Sequence, residues 1–451
     1  MARGRDPVSH LLNLLGAELR GIIDPLLTIF VLAYPRSRAA GNARAGFNGY
    51  RPVFRQMQKN NFLYTKTVMK IKRLIKPVIP CLFLTLMGTL RAQDKPPFMH
   101  PPRIIEQPAG SLYETGSRNF TGIPSLAVTD RGTFWAVWYT GVTPAEDENN
   151  YVVVSSSRDE GRTWKEILII DPDGSGPVRA FDPEVWIDPN GKLWVFWAQA
   201  IGHDGNVAGV WSVTTSELDS GSPAWTEPRR LTDGVMMCKL TVLSTGEWIL
   251  PASTWKETAF SARFIVSKDQ GKNWSIRGAV NVPEKERDFD EHMIVEKKDS
   301  TLWMLVRTRY GIGESLSSDR GRTWSPLLPS GIKHPNARFF IRRLASGNLL
   351  LVKHGPVKMK TGRSHLMAFI SVDDGATWSK GLLLDAREGV SYPDGQQGKD
   401  GNIYIIYDHQ RTRDQEIVMT SFTEEDILAD DHDKRIIKVN RHRRIVSKGG
   451  P

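Results

Sequence analysis

Short apolar runs alternate with polar, glycine-centred turns from about residue 118 to 425, with no sustained helical period. Six of these units share one form: an apolar strand, an Asp/Ser/Gly turn, then a strand rich in aromatic or branched residues. The first reads Ser125-Leu-Ala-Val-Thr-Asp-Arg-Gly132-Thr-Phe-Trp-Ala-Val-Trp-Tyr and the second Glu184-Val-Trp-Ile-Asp-Pro-Asn-Gly191-Lys-Leu-Trp-Val-Phe-Trp. The turn centres fall at 132, 191, 246, 300, 347 and 401, at intervals of 59, 55, 54, 47 and 54 residues. A hairpin repeated at that period is one supersecondary unit used six times, and each interval is long enough for four short strands.

A second pattern keeps the same rhythm. Ser-x-Asp-x-Gly-x-(Thr/Asn)-Trp occurs as Ser157–Trp164, Ser267–Trp274, Ser317–Trp324 and Ser371–Trp378. In each copy the Asp bonds its own backbone, the Gly takes positive φ, and the Trp anchors the returning strand. These are Asp boxes, and they are hairpin staples rather than catalysts. Ser216–Pro228 reads as a decayed copy closing the second unit. The sixth unit lacks a box, and Glu416–Phe422 supplies one of its strands. Evenness of period with a closing Trp favours a ring over a two-sheet sandwich. The expected fold is all-β, a six-bladed propeller of four-stranded antiparallel blades over 118–425. Residues 93–117 form an N-terminal extension, and 426–451 a charged tail. Ring closure is expected to bring residues 103–120 to the last blade.

Charge changes little in this picture. The chain carries +10 overall, but residues 1–92 hold 15 Lys+Arg against 3 Asp+Glu, which leaves 45 against 47 for the rest. The folded part is nearly neutral, and nothing points to nucleic acid. Met69-Lys-Ile-Lys-Arg-Leu-Ile-Lys followed by apolar Pro77–Leu90 and Leu90-Arg-Ala92 reads as a signal peptide over 69–92, too short to span a bilayer. Residues 1–68 show no globular pattern and are expected not to belong to the native protein, or to be disordered. With Cys81 removed in the leader, Cys238 alone remains, so no internal disulfide is available. The expectation is a secreted or periplasmic monomer without stable membrane insertion, needing no cofactor and offering no metal-ligand cluster.

A propeller gathers the starts of its inner strands at one mouth. Polar residues flanking the hairpins are therefore the candidates for chemistry. They are the acidic loop Glu146-Asp147-Glu148, the pair Glu291 and Arg307, then Arg363 before the last box, and Tyr392 opening the sixth unit. Singly, each has an ordinary reading: solvated loop, cross-strand ion pair, exposed basic residue, aromatic over a turn.

Together, in this order along the chain, they resemble the exo-sialidases, over roughly residues 118–425. The resemblance implies Asp147 as acid/base, Tyr392 as nucleophile, Glu291 as its partner, and Arg307 and Arg363 as two of three arginines gripping the sialic acid carboxylate. It implies a retaining exo-α-sialidase acting on sialylated or other acidic glycans, in a divergent bacterial sialidase-like branch. One departure stands out. Sialidases open their first blade with Arg-Ile-Pro, and this chain has Gly122-Ile-Pro124. Arg118 and Arg179 are the candidates to replace the lost arginine, and Asp182 is a further pocket candidate. The alternatives are a glycosidase or lyase on another acidic glycan, and a non-catalytic glycan-binding propeller.

Overall fold

A computed structural model describes residues 95–108, 112–430 and 438–450. The leader assigned to 1–68 and 69–92, with Cys81, lies outside these described residues.

Strand β1 (Arg103–Glu106) precedes the first blade, β2 (Phe120–Val128), β3 (Phe134–Gly141), β4 (Tyr151–Ser157) and β5 (Lys165–Asp171). Blade two is β6 (Val178–Ile187), β7 (Leu193–Ile201), β8 (Gly209–Thr215) and β9 (Arg229–Asp233). Blade three has a split inner strand, β10 (Val235–Met236) and β11 (Thr241–Val242), followed by β12 (Trp248–Ser253), β13 (Ala262–Ser267) and β14 (Ser275–Val280). Blade four is β15 (His292–Glu296), β16 (Leu302–Thr308), β17 (Gly311–Ser317) and β18 (Leu328–Pro329). Blade five is β19 (Phe340–Arg343), β20 (Leu349–His354), β21 (Leu366–Ser371) and β22 (Leu382–Asp385). Blade six is β23 (Val390–Gln397), β24 (Ile403–His409), β25 (Glu416–Phe422) and β26 (Arg444–Lys448). All pairings are antiparallel, in six separate sheets. The described residues form a six-bladed propeller with almost no helix.

Two expectations about the ends need correction. Of the 103–120 segment, β1 does not reach the last blade but pairs with β5 and makes blade one five-stranded. The end of that segment does meet blade six, where Gly450 N donates to Arg118 O (2.8 Å) and Gln415 Nε2 to Asn119 O (3.1 Å). The fourth strand of blade six comes from the segment read as a charged tail, where β26 pairs with β25. Flanking Lys and Arg mask a strand there, in which Val446 is buried between an exposed Ile445 and a half-buried Ser447. No strand is shared across the closure, which is made by hydrogen bonds: Thr121 N of β2 donates to Arg411 O in the β24–β25 loop (2.9 Å). Asp394 of β23 accepts from Ser125 Oγ (2.7 Å) and Leu126 N (3.0 Å) of β2. Gln396 bonds both backbone groups of Val128.

The Asp boxes form the expected turns. In the first, Asp159 Oδ1 accepts from Thr163 N (2.9 Å) and Oδ2 from Thr163 Oγ1 (2.7 Å), while Gly161 N donates to Ser157 Oγ (3.0 Å). Each box also presses on its neighbour. A Cβ on the box glycines Gly271, Gly321 and Gly375 would meet Trp194, Phe264 and Trp303 of the preceding blade. On Gly161 it would meet Met419 of blade six, so the same contact recurs where the ring closes. Glycine is required by the positive φ and by this close approach.

Candidate functional site

Three inner strands begin with the same distortion. β2, β6 and β23 each carry a register shift, between Gly122 and Ser125, Phe181 and Glu184, and Ser391 and Asp394. In each, two residues stand opposite one on the partner strand: Ile123-Pro124, Asp182-Pro183 and Tyr392-Pro393. Proline fits there because a bulge needs no ladder donor. The residue before it is forced to positive φ: 57° at Ile123, 47° at Asp182 and 51° at Tyr392. For Ile and Tyr that conformation costs roughly 1–3 kcal/mol, so the surrounding packing must impose it. The bulge brings Asp182 and Tyr392 into the surroundings of Glu291, while Ile123 is buried in the apolar core.

A sequence signal underlies this. Ile123, Asp182, Met237, Glu291, Arg338 and Tyr392 each stand nine residues before the turn centre of their hairpin. They are equivalent positions in the six blades.

Tyr392 is buried, and its hydroxyl lies 3.4 Å from Glu291 Oε1 and 3.0 Å from Arg307 Nη1. Arg307 donates to the same Glu291 oxygen at 2.6 Å and to Asn336 Oδ1 at 2.7 Å, and its guanidinium lies over the Phe289 ring. Glu291 Oε2 is buried and has no hydrogen-bond partner among the described residues. Burial and the Glu291 charge push the Tyr392 phenol above its usual value, against the pull of Arg307, Arg363 and Arg411. Arg363 donates to Ser391 Oγ (3.2 Å), and its guanidinium lies 5.5 Å from the Tyr392 ring centre. The structure thus brings Tyr392, Glu291, Arg307 and Arg363 together.

The third arginine is Arg411, in the β24–β25 loop. Its guanidinium lies 5.1 Å from the Tyr392 ring centre and pairs with Glu146 at 2.9 Å. A Cβ on residue 122 would fall 2.3 Å from Arg411 Cδ, so Arg411 runs through the space that a side chain at Gly122 would need. Arg363, Arg411, Glu146, Phe120 and Ser391 line a cavity of about 340 Å³ at this mouth. A larger cavity, about 630 Å³, lies among the hairpin turns at the opposite end and holds none of these residues.

Neither Arg118 nor Arg179 packs on Tyr392 as Arg363 and Arg411 do. Arg118 is fully buried in the outer part of blade one, held by both oxygens of Glu166 (2.6 and 2.7 Å) and by Tyr113 O. Arg179 bonds His203 and stacks over Phe181 at 4.0 Å. Asp147 is turned into its own loop, accepting from Thr143 Oγ1, Asn149 N and Asn149 Nδ2. Its neighbour Glu146 is the loop carboxylate that reaches the mouth. Asp182 is buried on its bulge, and its carboxyl makes no hydrogen bond with any described residue.

Beneath the mouth lies a buried charge set. Arg338 Nη2 meets Glu184 Oε1 at 2.6 Å, Lys239 Nζ meets Asp394 Oδ2 at 2.8 Å, and Lys239 also donates to Ser125, Leu126 and Val185. Glu184 and Asp394 each follow a bulge proline, so these ion pairs hold two of the bulges in place. Burial and the nearby Asp394 charge push the Glu184 carboxyl above its usual range.

Residues 132–405 match the family described as "BNR repeat-like domain". No curated protein matches the chain. Among solved structures it is similar to a Hadza microbial sialidase, at 20% identity and a TM-score of 0.56 over 68% of this chain and 66% of the other. It therefore spans just under two thirds of that protein's length. It is also similar to an intramolecular trans-sialidase from Ruminococcus gnavus, solved with oseltamivir carboxylate. There the identity is 15% and the TM-score 0.56, over 74% of this chain and 99% of the other. A protein of unknown function from Dyadobacter fermentans matches at 17% identity and a TM-score of 0.52, over 69% and 96%. At these identities the likeness is one of fold.

Proposed function

The chain belongs to the BNR repeat-like domain family, and from that premise we propose that it is an exo-α-sialidase that cleaves terminal sialic acid with retention of configuration. The observation that carries this reading is the contact of Tyr392 with Glu291 and Arg307 in a mouth that also presents Arg363 and Arg411.

The residue types suit that substrate. Sialic acid carries a carboxylate on its anomeric carbon. A carboxylate nucleophile would approach like charge, whereas a neutral phenol does not. A phenol with a raised pKa is a poor nucleophile until a base takes its proton, and Glu291 is in place to do so. Three guanidinium groups then face the substrate carboxylate, with the planar geometry that lysine lacks. Glu146 holds Arg411 in the free protein and would yield it to the substrate.

Release of a fluorogenic aglycone from an α-sialoside tests the proposal. Wild type should turn over with the α-anomer of the free sugar formed first. Tyr392→Phe and Glu291→Gln should each lose roughly 10²-fold or more in kcat. Tyr392→Phe should keep the wild-type melting temperature, whereas Glu291→Gln should lower it by leaving buried Arg307 without its carboxylate partner. Turnover indifferent to both substitutions would defeat the mechanism. Turnover of a uronic acid glycoside in place of a sialoside would favour the second reading, for which Gly122 in place of the expected arginine is the supporting observation. Export is part of the proposal, and N-terminal sequencing of the mature protein should begin at Gln93; a mature protein retaining residues 69–92 would contradict it.

A further inference from the structure

We infer that Asp182, on the bulge of blade two, is the general acid and base of this site, and that the 144–147 loop serves to hold Arg411. The inference rests on the glycosidase reading above and assigns the one role that reading leaves open.

Four observations point to it. The first is position. β2 packs between β6 and β23, and the same proline bulge delivers Asp182 from one side and Tyr392 from the other. The second is availability. The Asp182 carboxyl is free of hydrogen bonds from the described residues, while both oxygens of Asp147 are used inside its loop and Glu146 is ion-paired with Arg411. The third is surroundings. The charged groups facing Asp182 are Glu146, Arg179, Glu291 and Arg338. Both arginines are engaged elsewhere, Arg179 with His203 and Phe181, Arg338 with Glu184. The fourth is protonation. Burial first, then the Glu146 charge, drives the Asp182 carboxyl well above the usual carboxylate range. A shift in that direction favours the protonated form, which is the form a general acid needs. Tyr392 and Asp182 are thus two titratable groups held in opposite roles by the same backbone device.

The steps balance as follows. Glu291 takes the Tyr392 phenolic proton as the phenolic oxygen bonds to the anomeric carbon. The bond from that carbon to the glycosidic oxygen breaks, and its electron pair leaves with the oxygen, which takes the Asp182 proton. In the second half, Asp182 as carboxylate removes a proton from water, whose oxygen bonds to the anomeric carbon. The tyrosyl bond breaks, and Tyr392 oxygen regains its proton from Glu291.

The test compares two α-sialosides, one with a nitrophenol leaving group and one with a sugar hydroxyl. A nitrophenolate needs no proton to depart, whereas an alkoxide does. Asp182→Asn is the variant to use, since Asn tolerates positive φ and keeps the side-chain shape. Equal melting temperatures check the fold. The expected result is a kcat/KM loss of roughly 10²–10⁴-fold on the sugar-linked substrate and a much smaller loss on the nitrophenyl one. The alkaline limb of the pH profile should also vanish in the variant on the nitrophenyl substrate. Asp147→Asn should affect both substrates equally. Equal losses on both substrates in Asp182→Asn would make it a sugar-binding group and overturn the inference, as would a selective loss in Asp147→Asn. In either case an active wild type leaves the glycosidase reading standing. A wild type inert on both substrates would overturn that reading and this inference together.

Discussion

Gly122 and Arg411 cannot both carry a side chain into the same space, because a Cβ at 122 would lie 2.3 Å from Arg411 Cδ and 3.1 Å from Asp408 Oδ2. The residue that looked like a loss in the sequence is the condition for an arginine arriving from another blade. Gly122 itself has no positive φ, so Gly122→Ala strains no backbone and acts chiefly by displacing Arg411, with a lesser crowding of Asp408. It should raise KM for an α-sialoside about as far as Arg411→Ala does. Loss of a charge-assisted bond of about 1.5–3 kcal/mol corresponds to roughly ten- to a hundredfold. Steady-state kinetics on both single variants and the double variant checks this. The double should be no worse than Arg411→Ala alone, and additive losses would count against a shared space. Tyr392, Glu291, Arg307 and Arg363 were legible in the sequence because each flanks a recognisable strand. Arg411 was not, because Asp408-His-Gln-Arg-Thr-Arg413-Asp looks like any solvated loop. In the acidic loop the reading settled on Asp147, but the side chain that faces the mouth is the adjacent Glu146. In an irregular loop, no strand periodicity fixes which neighbour points inward.

Among the elements, the Asp box shows what a short motif can and cannot reveal. Its internal turn was readable from residue types. Its second role, each box glycine seated against an aromatic or Met of the preceding blade, depends on the ring and cannot be read locally. Hydrogen bonds from the turn lower Asp159, Asp269, Asp319 and Asp373 to about 2. A depressed folded pKa contributes stability above the unfolded value near 3.8, and that contribution is lost as pH falls toward about 2. Stability should therefore fall between about pH 4 and pH 2, and Asp159→Ala should flatten that part of the curve. Urea unfolding at a series of pH values measures the slope, and an unchanged slope in the variant would count against the turn bonds. The proline bulges were present in the sequence as Ile123-Pro, Asp182-Pro and Tyr392-Pro, nine residues before their turns. They escaped notice because each blade was read as a strand pair, not superposed on the others.

At the scale of the whole molecule, the blade count followed from the hairpin period. The end strands did not: β1 joins the far edge of blade one at β5, and β26 joins β25 from a basic segment with little apolar pattern. Closure and site share a foundation in the channel, where Lys239 and Arg338 neutralise Glu184 and Asp394 in a fully buried set. Removing one partner leaves a buried charge unpaired. Lys239→Met should destabilise the protein by about 3–5 kcal/mol. Denaturant unfolding with a reporter on Tyr392 chemistry should show activity lost in step with stability; a variant as stable as wild type would mean the charges are not coupled to the fold.

The central claim is that Tyr392 attacks the anomeric carbon. A sialosyl fluoride fluorinated at C3 forms the tyrosyl adduct but slows its breakdown, so the intermediate accumulates. Peptide mass spectrometry of the treated protein should find one sialosyl adduct, on the peptide containing Tyr392, and none in Tyr392→Phe. An adduct on a carboxylate, or turnover of sialosides with no adduct at Tyr392, would contradict the account.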